Sequence, residues 1–169
     1  MRHRALVLVL VAITTLAALA KENIASWVSY NSPTGFKARF PAKPSVTKQT
    51  DPSPVGDIVT VVTSANVSWG VCTVSCSDLP PMASFLGPER LFEDTRDSIL
   101  KEVGGTETGW TDIGQFGSGK QLSYKSPSAV GTCQIYFLKN RLYVADVRTQ
   151  KPELPQTNAF FANWAVRKL

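Results

Sequence analysis

The sequence predicts an α+β sandwich built on antiparallel strands. Three observations carry this: apolar–polar alternation over most of the chain, short turn-rich links between the alternating runs, and only two helical stretches set among them. The order is strands, helix, strands, helix, which suits hairpins with helices on the sheet faces rather than parallel crossover units.

The chain opens on a segment that belongs to export rather than to the fold. Met1-Arg2-His3-Arg4 is a basic head, Ala5 to Ala20 an apolar run, and Ala18-Leu19-Ala20 a small-x-small cleavage site. Residues 1–20 are therefore expected to be a signal peptide. The run is shorter than the about 20 apolar residues that span a bilayer and contains Thr14 and Thr15, so no transmembrane anchor is expected after cleavage. Lys21, not a cysteine, stands directly after the cleavage site, which argues against the lipoprotein route. Residues 21–169 then form a single exported domain, periplasmic or extracellular. Cleavage removes Arg2 and Arg4, lowering Lys plus Arg from 18 to 16 against 13 acids, so the net charge falls from +5 to +3. Those charges are scattered, without the concentrated basic stripe of a nucleic-acid binder.

The first mature elements are two short strands around Ser32-Pro33-Thr34-Gly35. Phe36, Ala38 and Phe40 alternate with Lys37 and Arg39, giving one apolar and one charged face. Asp51 to Asp57 is a loop by its prolines and glycine. Ile58 to Ser64 and Val67 to Ser77 are β-branched runs that call for a turn near Ala65-Asn66. Pro80-Pro81 ends this region. A helix follows, with Pro88 in its first turn, acids near its start and Gly104-Gly105 as its stop. Leu91, Phe92, Thr95, Ile99 and Val103 form its inward stripe. Trp110 to Ser126, Gly131 to Leu138 and Arg141 to Thr149 complete the strands, the last two joined by a Lys139-Asn140 turn. Thr157 to Trp164 reads as a short helix capped by Thr157 or Asn158, its aromatics docked on the sheet.

Two stretches resemble a known family. Trp27-x-x-Tyr30-x-Ser32-Pro33-x-Gly35-Phe36-x-Ala38-x-Phe40-Pro41 is similar to the start of small exported bacterial domains of the PsbP/Mog-like family. Tyr136-Phe137-Leu138, Asn140 to Val144 and Phe160-Phe161-x-Asn163-Trp164 fit its closing segment, although the family more often ends in Phe-x-x-Ser-Phe. The resemblance implies a central antiparallel sheet flanked by helices, an α/β/α sandwich. It also implies an exported, non-catalytic binding or accessory module of the cell envelope whose partner is another envelope or secreted protein. A small-ligand carrier, or an envelope enzyme using carboxylate or lysine chemistry, is the alternative. No family binding residue transfers to a position here.

Candidate chemistry is sparse. His3 is the only histidine and leaves with the signal peptide, which excludes imidazole-based triads and histidine zinc sites. Gly114 to Lys120 has phosphate-loop spacing, but Gln121 follows where Ser or Thr is needed, and the stretch runs into a strand pattern. Ser45-Val46-Thr47-Lys48 has acyl-serine spacing but reads as an extended edge without its partner motifs. Glu89, Glu93, Asp94 and Asp97, interleaved with Arg90 and Arg96, read as a solvated helix face. Asp146 shares a strand face with Val144 and Arg148 and is expected to be exposed; an enzyme would need it, or Asp112, buried in a pocket. Asn66-Val67-Ser68 is a glycosylation acceptor that matters only in a eukaryotic host.

Cys72, Cys76 and Cys133 pose a redox question. Cys72 and Cys76 are four residues apart on one strand, about 13 Å, against the about 5.5 Å between Cα atoms that a disulfide needs. A bridge from Cys133 to Cys72 or Cys76 is expected, with three buried thiols as the alternative. A metal held by the three cysteines and Asp78 has poor spacing, so neither metal nor cofactor is expected. Lys37 and Arg39, with Lys43 and Lys48 beyond, suggest a basic edge facing an acidic partner.

Overall fold

The structure, a computed structural model, describes residues 24–53, 56–152 and 154–167. The predicted signal peptide lies outside them. Among the described residues no helix is long and apolar enough to cross a membrane.

Among the described residues ten strands form two antiparallel sheets. The larger contains β3 (Ser45–Asp51), β4 (Ile58–Val67), β5 (Gly70–Asp78), β6 (Thr106–Ile113), β7 (Gly119–Lys125), β8 (Val130–Leu138) and β9 (Arg141–Thr149). Their spatial order is β3-β4-β5-β9-β8-β7-β6. The smaller contains β1 (Val28–Asn31), β2 (Phe36–Phe40) and β10 (Trp164–Val166), with β2 in the middle. Helix α1 (Pro88–Val103) covers one face of the large sheet, packing on β7 and β8. The small sheet and helix α2 (Pro155–Ala162) cover the other. The central antiparallel sheet with its flanking helices was thus readable in the sequence, whereas the second sheet was not. It exists because Trp164, placed by sequence at the end of a helix, starts a strand against Ala38 instead.

Each face has its own core, because alternate residues of a strand point to opposite sides. Toward the small sheet lie Cys72, Val74, Cys76, Tyr143, Ala145 and Val147, packed on Phe36, Phe40, Phe160 and Trp164. The Phe40 and Phe160 rings meet edge-on with centroids 5.5 Å apart, a favourable aromatic geometry. Toward α1 lie Leu122, Tyr124, Cys133 and Ile135, packed on Phe92 and Ile99.

Two local expectations shift and one holds. The β4–β5 turn falls at Ser68-Trp69, so the alternation runs through Ala65-Asn66. Helix α2 starts at Pro155, with Leu154 at its N-cap and no side-chain cap bond, so neither Thr157 nor Asn158 caps it; proline's fixed φ suits this first position. Helix α1 matches its predicted limits: Gly104 closes it at φ 58°, a left-handed conformation that glycine adopts without a Cβ penalty.

The expected disulfide is absent, and the two cores explain why. Cys133 belongs to the α1-side core, whereas Cys72 and Cys76 face the small sheet. Cys133 pairs with Asp146 on β9, which pairs with Thr73 on β5, so two strand spacings separate Cys133 from β5. That is about 10 Å, with side chains on opposite faces. All three cysteines remain buried thiols.

Candidate functional site

The α1 side of the large sheet is covered only in part. Over β7 and β8 the helix seals an apolar core. Over β3, β4 and β5 the same face stays open as a trough of about 1000 Å³ between the strands and the flank of α1. Its floor mixes hydroxyls with apolar side chains: Thr60, Thr73, Ser75 and Ser77 stand beside Ile58, Val62, Leu142 and Val144. Thr60 and Ser77 hydroxyls bond across strands at 2.8 Å, and Ser64 and Thr73 at 3.2 Å.

A 3-10 turn (Pro81–Leu86) closes one end of the trough. It presents Met82, Phe85 and Leu86 at 58%, 83% and 52% exposure. Three large apolar side chains exposed on one short turn form a patch of the kind that marks a docking surface. No role for them follows from the strand and helix pattern; the apolar Met-x-x-Phe-Leu between Pro81 and Pro88 was the available signal.

At the margin of the trough lies a buried ionic network. Asp146 is 4% exposed, not solvated as its strand pattern suggested. Its carboxylate accepts from Tyr124 Oη at 2.9 Å and from Arg148 Nε at 2.6 Å. Arg148 in turn donates to Glu102 of α1 at 3.2 and 3.3 Å. Tyr124 on β7 reaches β9 by crossing Gly131, where any Cβ would overlap its ring. That mid-strand glycine was the sequence signal for a close approach. Burial raises the Asp146 pKa, opposed by the Arg148 charge and by its two hydrogen bonds. The Tyr124 phenol is pushed far up by burial and by the Asp146 charge. The Tyr124 hydroxyl, both Asp146 oxygens and Arg148 Nε each have a neighbour as partner, which makes the network a clamp between helix and sheet rather than an acid–base pair with room for substrate. Among the described residues the charges lining the trough are Asp51, Asp94, Glu102 and the buried Asp146 against Arg148, an acid-rich margin on a protein with a net positive charge.

The other sequence candidates are dispersed. Asp112 is exposed and pairs with Lys120 Nζ at 2.6 Å, and Glu89 meets the same ammonium at 3.2 Å. Thus the lysine of the Gly114–Lys120 stretch sits on β7 holding two carboxylates, and the glycines make the β6–β7 loop. Ser45 and Lys48 lie on the exposed edge strand β3, with Ser45 Oγ on the Ser64 carbonyl. On α1 Arg90 pairs with Asp94, at the margin of the trough, and Arg96 with Asp97. Lys37 and Arg39 occupy the middle strand of the small sheet, so they mark a face and not an edge. Lys37 is exposed, while Arg39 is half-buried with Nη2 on the Ala25 and Trp27 carbonyls at 2.9 and 3.4 Å. Among the described residues no group of three His, Cys, Asp or Glu side chains is placed to hold a metal ion.

The fold is PsbP-like. Among solved structures the chain is similar to the solution structure of cyanobacterial PsbP (CyanoP) from Synechocystis sp. PCC 6803. The TM-score is 0.57 at 13% identity, over 86% of this chain and 95% of that one. No protein-family model matches the chain, and no curated protein matches it by sequence. At this identity the likeness establishes the fold.

Proposed function

We propose that the protein is an exported, non-catalytic accessory module that docks another envelope or secreted protein through the trough beside α1. The carrying observation is the half-covered sheet face ending in the exposed Met82, Phe85 and Leu86. The open half spans two strand spacings, about 10 Å, which is the width of one helix. Small hydroxyl side chains let a partner backbone come close, and the apolar turn supplies the kind of aromatic anchor that dominates interface energetics. The surplus of acids selects a partner surface bearing lysine or arginine. The shared fold with a PsbP protein and the export signal read in residues 1–20 support the accessory role.

The test is capture of the partner from the host's envelope extract by tagged residues 21–169, at low and high salt. Wild-type protein retains a stoichiometric partner that high salt weakens; Phe85→Ser and Ser75→Arg proteins lose it. Retention by both variants removes the trough from the reading, and recovery of the wild-type protein alone removes the accessory role.

A further inference from the structure

A second hollow lies away from the trough, at the end of the molecule where the β6–β7 loop, the β8–β9 turn and the end of β10 converge. It holds about 560 Å³, within the range of small-molecule sites. Its walls are apolar: Phe116 from the loop, Leu138 from β8, the ring of Tyr143 from β9 and Val166 from β10. The Tyr143 hydroxyl is turned to the Thr34 carbonyl at 3.0 Å, so the side chain offers its carbon surface.

Among the described residues the charged side chains lining this hollow are Lys139 and Arg167, and both are cations. Lys139 sits in the β8–β9 turn at φ 49°. Arg167 is fixed by its backbone N–H on the Gly35 carbonyl at 2.8 Å and by Nη2 on the Ser32 carbonyl. One of its five donors is thereby used to hold the guanidinium in place, and the fork remains suited to a carboxylate. An apolar chamber with two cations and no acid among its described lining residues is complementary to one kind of small molecule.

We propose that this hollow binds an amphipathic monoanion. The apolar body lies between Phe116, Leu138 and Val166, and the carboxylate meets Lys139 and Arg167. An alkyl chain and an aromatic ring system satisfy the same chemistry. The proposal is independent of protein docking at the trough, because the two places share no lining residue.

The experiment titrates residues 21–169 with decanoate, 1-naphthoate and the neutral decanol, followed by amide chemical shifts. Saturable shifts are expected around Phe116, Leu138, Lys139 and Val166 with one or both acids, and the stronger acid identifies the body. Decanol binds at least about tenfold more weakly, the worth of one good charge-assisted contact. Lys139→Asn keeps the left-handed turn and weakens the acid about tenfold; Leu138→Trp fills the chamber and abolishes binding. The proposal is overturned by no saturable shift, by shifts elsewhere, by decanol binding equally well, or by binding that survives Leu138→Trp in a protein with wild-type melting temperature.

Discussion

The two halves of one sheet face behave oppositely although their backbones are alike. Over β7 and β8 the residues facing α1 are Leu122, Tyr124, Cys133 and Ile135, all fully buried. Over β4 and β5 the equivalent positions are Ile58, Thr60, Val62, Ser64, Thr73, Ser75 and Ser77, all half-exposed. Antiparallel ladders tolerate a solvated face, so nothing in the hydrogen bonding forces the second half to be covered. The difference teaches that coverage here is written in side chains: α1 lies over an unbroken apolar set, and the half left open is the one where hydroxyls are interspersed among the apolar residues.

The comparison can be broken most severely from the covered half. Phe92, completely buried under α1, truncated to alanine should cost about 3–5 kcal/mol, measured by urea unfolding. A cost below about 1 kcal/mol would mean that the helix is not seated on that core.

The clamp between the halves comes next. Asp146→Ala leaves the Tyr124 hydroxyl without its acceptor and Arg148 with Glu102 alone, at an expected cost of about 2–3 kcal/mol. Asp146→Asn separates charge from shape. The folded pKa of Asp146 is raised, chiefly by burial, so the fold favours its protonated form. Its stability contribution is therefore fully present below the unfolded value, about 3.9, and is lost as pH rises through the folded value. Wild-type stability relative to Asp146→Asn should decline over that interval and then level off. A relative gain with rising pH would show that Arg148 outweighs burial.

Smaller still is the thiol chemistry. Burial, then the Asp146 charge, lifts the Cys133 thiol well above its ordinary pKa, and thiolate is the reactive form. Native protein should leave Ellman's reagent unreacted over minutes, react at three sites once unfolded, and melt at the same temperature with or without reductant. A reductant-sensitive melting temperature would restore the disulfide.

How much of this was legible in the chain follows from the same contrast. Alternation reports which residues share a face but not what lies over that face. The strand pattern thus placed Asp146 with Val144 and Arg148 correctly, yet missed its burial, which depends on Tyr124 arriving over Gly131 from two strands away. Likewise Cys133 was assigned to a strand, but which core its side chain enters is set by the sheet order, which places β9 between β5 and β8. Helix α1 was readable because its stop, proline start and stripe are all local. The trough was not, since it is defined by where a helix from one part of the chain ceases to cover strands from another.

Changes on the open half should be the mildest for folding, within about 0.5 kcal/mol for Phe85→Ser, and this makes them the most direct test of the trough as the docking face. The decisive measurement is partner retention by Phe85→Ser and Ser75→Arg beside Lys37→Glu, all three with wild-type melting temperatures. Loss in the first two with retention in Lys37→Glu is the predicted result. Retention in the first two with loss in Lys37→Glu would move the interface to the small sheet and contradict it.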